Sequence, residues 1–142
     1  LDIEQMSFPS AWEKAGADSP LILAVEAAAR RGVSIRVLLN DESAFHENKA
    51  SKNEATVQRL NRLAKTNSLK LEAKIANLKA MNVDIIHNKG VLVDGEKTLI
   101  SSINWTENAV TNNREAAVVI QSETIFSHYQ DLFNKDWNLS VR

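Results

Sequence analysis

Apolar residues recur along this chain with two periods, and the two alternate. LDIEQM at the start reads as a short buried strand, and VSIRVLL at 33–39 as another, with β-branched residues at alternate positions. Between them FPSAWEKAGADSP, which holds both prolines, predicts a loop or a short helix. Asp18 or Ser19 ahead of Pro20 is a strong helix start, a capping side chain followed by proline in the first turn. LILAVEAAARR continues that helix and Gly32 closes it. NDESAFHENKAS is a polar loop. Helical spacing returns over 53–81, with Val57, Leu60 and Leu63 in one run and Leu71, Ile75 and Leu78 in a second; Thr66 to Ser68 breaks or bends the helix between them. VDII, GVLVD and TLISS then predict three closely spaced strands, the last two joined by the tight-turn pair Asp94-Gly95. A short helix near Trp105, a strand EAAVVIQ and an amphipathic helix from about Glu123 to Trp137 complete the chain. Strands alternating with helices predict an α/β sandwich. The crowding of strands in the middle predicts a mixed β-sheet flanked by helices rather than a doubly wound one.

Length and composition narrow this picture. A chain of 142 residues suits one domain, spanning 1–142, and 44% hydrophobic with 25% charged residues is an ordinary globular balance. No apolar run approaches the ~18 residues of a membrane helix, and no basic-then-apolar stretch reads as a signal peptide. The chain begins at Leu1 inside a strand-like segment, so it is expected to be a fragment of a longer protein, which leaves any targeting signal and the compartment open. With no cysteine, a disulfide framework, a thiolate nucleophile and a thiolate zinc site are all excluded. The net charge is only -1, yet it is unevenly spread: Lys49 to Lys79 holds eight basic residues against Glu54 and Glu72, about +6, which leaves about -7 elsewhere. That asymmetry predicts either a solvated helix face or a surface that contacts a phosphate backbone.

The chemistry concentrates in HNKGVLVD. On a strand His87 and Lys89 emerge on one face, since they are two residues apart. Lysine supplies a fixed positive charge to the non-bridging oxygens of a phosphate, and a neutral imidazole can attack phosphorus. Asp94 lies in or beside the following turn. Ser102 and Asn104 come back alongside on the next strand–turn as neutral donors to the same oxygens. After Asn112-Asn113-Arg114, Glu115 is placed to orient an imidazole through its ring N–H.

HNKGVLVD followed by SSIN resembles the phospholipase D superfamily, whose signature is His-x-Lys-x4-Asp, six residues, then Gly/Ser-Ser-x-Asn. His87, Lys89, Asp94, Ser102 and Asn104 meet every spacing. NNRE is similar to the family's asparagine-rich turn, and Glu115 matches the glutamate that holds the partner histidine. SPLILAVEAAARRGVSIRVLL looks like the helix and strand that precede the signature; the basic region from about 47 to 80 has no counterpart. The resemblance implies a phospholipase D-like fold and a metal-independent phosphodiesterase, with no metal or cofactor. One histidine attacks phosphorus to form a phosphohistidine while a second protonates the leaving oxygen, and water then releases the monoester. His87 is the nucleophile or its acid partner, Lys89, Ser102 and Asn104 bind the phosphate, and Asp94 and Glu115 support the histidines. The chain has one such motif and the mechanism needs two. The second lobe is therefore expected in the same longer chain or as the other half of a homodimer.

The basic segment makes nucleic acid the favoured substrate. Phospholipid hydrolysis or phosphatidyl transfer is the alternative, and a non-catalytic phosphate-binding or dimerisation lobe the contrasting class. His46 and His128 are expected to be loop and packing residues rather than catalytic ones. Trp12 and Trp137 are expected in the core, Trp105 either in the core or flooring the cleft, and Glu4 or Gln5 near the cleft.

Overall fold

The computed structural model of the chain describes residues 1–12, 14–43 and 51–140. The first strand is β1 (Asp2–Gln5). The segment expected to be a loop or short helix is a small hairpin instead, β2 (Ala11–Trp12) against β3 (Ala17–Asp18), with Gly16 at a φ of 60° near its tip. Ser19 caps α1 (Pro20–Arg30), its hydroxyl accepting from the Leu21 N–H at 3.2 Å. Ile22, Val25, Ala28 and Ala29 form that helix's buried stripe, at the spacing of a 3.6 period. Strand β4 (Ile35–Leu39) follows. Ser51 caps α2 (Lys52–Asn67), which buries Val57, Leu60 and Ala64 and ends at Ser68, a left-handed residue with φ 52°.

Beyond Ser68 the structure departs from the helical reading. Residues Leu71–Ile75 form a strand, β5, pairing in parallel with β4, so Leu71, Ala73 and Ile75 face one side at period two. Only the four-residue α3 (Leu78–Met81) is helical after it. The VDII segment is not a strand; Ile86 alone of it is buried, and its N–H is caught by the Asn40 side chain at 2.8 Å. The remaining elements match expectation: β6 (Lys89–Val93), β7 (Lys97–Ser101), α4 (Glu107–Thr111), β8 (Ala117–Gln121) and α5 (Glu123–Leu139). Asp94 and Gly95 turn the chain between β6 and β7 with φ of 53° and 81°.

The six long strands make one mixed sheet in the order β5-β4-β1-β6-β7-β8. The β5-β4-β1 half is parallel and the β1-β6-β7-β8 half antiparallel. Strand pairing puts Ile3, Val37, Ala73, Val91, Leu99 and Val119 on one face, and Asp2, Glu4, Leu38, Leu92 and Thr98 on the other. Helices α1 and α2 bury the first face over β5-β4-β1 in a core built on Ile3, Phe8, Ile22, Val37 and Leu60. Each such side chain contributes ~1.5–3 kcal/mol by leaving water. Helix α5 covers part of the second face with Phe133 and Trp137, against Leu38 and Leu92. Beneath it Asp2 takes two 2.7 Å bonds from Arg36 and one from Gln130, and the Arg36 guanidinium lies 4.8 Å from the Phe133 ring. Trp12 and Trp137 are buried as expected.

The antiparallel side is barer. Val118 is 50% and Val119 66% exposed, on opposite faces of β8, although α5 packs back against β7 and part of β8. No helix among the described residues is long and apolar enough to cross a membrane.

Candidate active site

The site lies at one end of the sheet, where β1 and β4 finish and β6 begins. Asn53, fully buried in the first turn of α2, fixes that end. Its amide donates to the Met6 carbonyl at 2.9 Å and the Asn40 carbonyl at 3.0 Å, and its Oδ1 accepts from the Phe8 N–H at 2.9 Å. Thr56 donates to the Phe8 carbonyl at 2.6 Å. The chain leaving β1 is thereby pinned against α2 and runs beside the start of β6, where the Met6 N–H donates to the Asn88 carbonyl at 3.0 Å.

Lys89 is the first residue of β6 and pairs with Gln5 of β1. It is only 5% exposed, and its ammonium donates to the His87 carbonyl at 2.6 Å and lies 3.5 Å from Met6 Sδ. Burial draws this ammonium below the ordinary lysine range, while the negative charge of Glu115 opposes the shift. Lys89 thus presents charge in a site where little water screens it. His87, just ahead of the strand, is exposed.

Ser102, Asn104 and Glu115 come to the same end because β7 and β8 pair in register, Ser101 opposite Ala117. Ser102 donates its hydroxyl to Glu115 Oε2 in a short hydrogen bond and accepts from the Ala116 N–H at 3.0 Å. Asn113 donates to the other Glu115 oxygen at 2.9 Å. Those two bonds, the Ser102 bond foremost, hold the Glu115 carboxyl below the usual carboxylate range, with the Lys89 charge adding to them. Glu115 therefore binds Ser102 and Asn113 within its own chain rather than His87. Asn104 Oδ1 and both side-chain polar atoms of Gln5, the strand partner of Lys89, are buried without a partner among the described residues.

Asp94 is not brought to this cluster. It is exposed in the β6–β7 turn, and a rise of ~3.3 Å per strand residue sets it roughly 16 Å along β6 from Lys89. Trp105 is half-buried, its ring edge-on to Phe8 with centroids 4.6 Å apart, and serves the core. His128 is exposed on α5, the helix that covers the other face, and His46 lies outside the described residues.

Ser101 is a contributor that the sequence alone does not single out, and Glu4, expected near the cleft, makes a contact that no spacing predicts. Ser101 donates to the Lys89 carbonyl at 3.1 Å and accepts from the Ile103 N–H, which ties β7 to β6 at the site. Glu4 accepts from the side chain of Asn88, between His87 and Lys89, at 3.1 Å. Its side chain leaves β1 on the face opposite Lys89, toward α5. The doubled serine of SSIN was a signal for the first; nothing local signals a contact between residues 4 and 88.

A concavity of about 1030 Å3 between α2 and α3 is lined by none of these residues and mixes Arg62 and Lys79 with Asp41, Glu54 and Asp84. The basic segment is also partly occupied internally. Arg59 bonds Asp18 and Glu26, and the Lys74 ammonium reaches the Trp137 and Ser140 carbonyls. Exposed Arg62, Lys65 and Lys70 lie toward the end of α2 that meets the start of β4, away from Lys89.

The family model described as cardiolipin synthase, PLD-like domain, matches residues 1–137. The chain belongs to the phospholipase D superfamily. Its residues are 35% identical over 54 positions to a mitochondrial cardiolipin hydrolase of Chlamydomonas reinhardtii, covering 38% of this chain and 24% of that protein. The Danio rerio mitochondrial cardiolipin hydrolase is 36% identical over 55 residues, 39% of this chain and 24% of the relative. The matched region thus spans about a quarter of those relatives' length. In fold the chain is similar to Nuc, a phospholipase D family member from Salmonella typhimurium, with a TM-score of 0.69 and 21% identity over 99% of this chain and 80% of that one. NucT from Helicobacter pylori gives the same TM-score of 0.69 at 19% identity, over 99% and 80% of the two chains. The α/β architecture with a mixed sheet is therefore that of the superfamily's solved members.

Proposed function

We propose that this phospholipase D-like domain is one half of a metal-independent phosphodiesterase. The observation that carries the reading is the gathering of Lys89, Ser102 and Glu115 beside the exposed His87 at one end of the sheet, with the Lys89 ammonium buried. Lys89 and Asn104 bind the non-bridging oxygens, and Ser102 joins them when its hydroxyl turns from Glu115. His87 attacks phosphorus in one copy of the domain, giving a phosphohistidine as the alkoxide leaves; His87 of the second copy protonates that alkoxide. The same second histidine then removes a proton from water, which attacks phosphorus and frees His87. Glu115, half-buried and ionised, accepts from the ring N–H of the facing histidine. Asp94 forms the turn.

The exposed edge of β8, with Val119 in line with a half-buried Leu99, supports a second lobe seated there. That surface borders the site, so covering it also brings a second His87 toward the first.

The substrate is a phosphodiester of nucleic acid or phospholipid. Nucleic acid was favoured by the basic segment, but Arg59 and Lys74 are committed inside the fold, which weakens that support. The phospholipid reading gains from the match to proteins named mitochondrial cardiolipin hydrolase and to a family model described as cardiolipin synthase, PLD-like domain. The deciding experiment measures hydrolysis of single-stranded DNA and of cardiolipin vesicles side by side in EDTA, for the wild type and His87→Ala. Release of a phosphate monoester from either substrate, lost in the variant, is expected. Equal turnover in His87→Ala would sink the assignment.

A further inference from the structure

Behind the candidate active site, between α5 and the sheet, lies a second cavity of about 280 Å3. It is just below the ~300–1,000 Å3 typical of small-molecule sites. Glu4, Gly90, Ile100 and Thr98 form its floor, and Tyr129 and Phe133 of α5 its roof. Gly90 opens it: the residue sits between Glu4 and Ile100 across the strands without a side chain to fill the space. Two polar atoms of the lining are buried with no partner among the described residues, Glu4 Oε1 and Thr98 Oγ1. Glu4 is 8% exposed and Thr98 1% exposed, so neither recovers its lost hydration.

The charges around Glu4 leave it uncompensated. Asp2, on its own strand, is matched by Arg36 of β4 and by Gln130 of α5. The Lys89 ammonium is turned to the His87 carbonyl and Met6. His87 and Tyr129 lie at the cavity wall, and Asp136 of α5, itself beside Lys135, adds a second negative charge. A buried carboxyl in this position either keeps its proton or takes a cation. Burial does push Glu4 up to about 7, the Asn88 bond opposing and Asp136 reinforcing the shift. No group of three or more His, Asp or Glu among the described residues is placed to hold a metal ion. An organic ammonium is therefore the better match, since one carboxylate oxygen suits a single N–H donor and the aromatic roof suits a cation's alkyl neighbours.

We propose that this cavity is a binding site for a small primary amine, its ammonium on Glu4 Oε1 and its short chain running over Gly90 toward the Thr98 hydroxyl. Glu4 Oε2 holds Asn88 at 3.1 Å, so the site joins directly to the residue between His87 and Lys89. The assignment does not depend on the chemistry proposed for His87.

An amide NMR titration of the whole chain with aminopropanol, propylamine and propanediol tests it. Saturable shifts at Asn88, Gly90 and Tyr129 are expected for the two amines, tighter for aminopropanol, with propanediol at least ten-fold weaker. Because the carboxylate form binds the ammonium, affinity at pH 6 should be about ten-fold below that at pH 8, given a Glu4 value of about 7. Glu4→Gln, which leaves Asp2, His87, Tyr129 and Asp136 in place, should lose both the binding and its pH dependence. Thr98→Val should erase the preference for aminopropanol over propylamine. Equal binding of propanediol, unchanged affinity in Glu4→Gln, protection by magnesium or calcium instead of amine, or capture of the amine only on a lysine peptide would each overturn the proposal. Should Glu4→Gln fail to fold, the wild-type comparison of amine with diol and the pH profile still decide it.

Discussion

The two halves of the sheet follow different rules. Strands β5, β4 and β1 run parallel, and α1 and α2 bury one of their faces in a core where Ile3, Ile35, Val37 and Leu39 are at most 1% exposed. Strands β6, β7 and β8 run antiparallel, and the face they share with that core opens outward, from a Val91 still packed on the core to a Val119 that is 66% exposed. His87, Lys89, Ser102 and Glu115 stand at one end of the antiparallel half, and Asn53, from the covered half, pins the backbone beside it. A rigid half thus positions the chemistry, while a bare half leaves room for substrate and for a second copy of the site.

The largest contrast is in catalysis. His87→Ala should lower phosphodiester turnover by at least ~10²–10⁴-fold, measured as monoester release in EDTA. Its melting temperature should stay near wild type, because the side chain is exposed. A variant with lost activity and lost fold would show that the two halves are not separable in this way.

Core deletions probe the same division through stability. Leu60→Ala in the covered half, where Leu60 is fully buried, should cost ~2–5 kcal/mol in urea unfolding. Val119→Ala in the open half should cost less than ~0.5 kcal/mol in dilute solution. Val119→Asp should leave that monomer equally stable but weaken self-association in sedimentation. Equal costs at Leu60 and Val119 would mean that β8 is already covered by its own chain.

The effect of pH falls between these. Glu4 releases its proton at about 7 when folded, against 4.5 as the ordinary value, so between those values the folded chain holds more protons than the unfolded one. Stability contributed this way is complete below about 4.5 and lost as pH rises through about 7. Its full size is at most roughly 3 kcal/mol, from ~1.36 kcal/mol per pKa step. Urea melts at pH 5 and pH 8 should show the wild type weakening with rising pH and Glu4→Gln changing less. An identical slope in the variant would assign the dependence elsewhere.

The sequence was legible where one residue type answers one local demand. Ser19-Pro20 starts α1, Asp94-Gly95 reverses the chain, and the strand register that follows brings Lys89, Ser102 and Glu115 to one sheet end. It was ambiguous where two periods coincide. Leu71, Ile75 and Leu78 fit a helix stripe, yet Leu71, Ala73 and Ile75 fit a strand, and the parallel edge of β4 settled the matter. Small Ala73, fully buried, carried too little apolar weight to show the alternation. Ile85 and Ile86 suggested a strand, but a single buried isoleucine and the Asn40 side chain hold that segment. Contacts across the fold, such as Glu4 with Asn88, leave no trace in spacing.

The smallest effect separates a turn residue from a catalytic one. Ser68 ends α2 in the covered half with φ 52°, and Asp94 turns β6 into β7 in the open half with φ 53°. Asparagine accepts this left-handed backbone about as readily as aspartate, and more readily than most residues. Ser68→Asn and Asp94→Asn should therefore each move stability by less than ~0.5 kcal/mol. If Asp94 serves only the turn, roughly 16 Å along the strand from Lys89 by the ~3.3 Å rise, Asp94→Asn should also keep turnover within about two-fold. A ten-fold loss at unchanged stability would place its carboxylate against a group on the second lobe, and the open half would then carry catalytic contacts at both ends of β6.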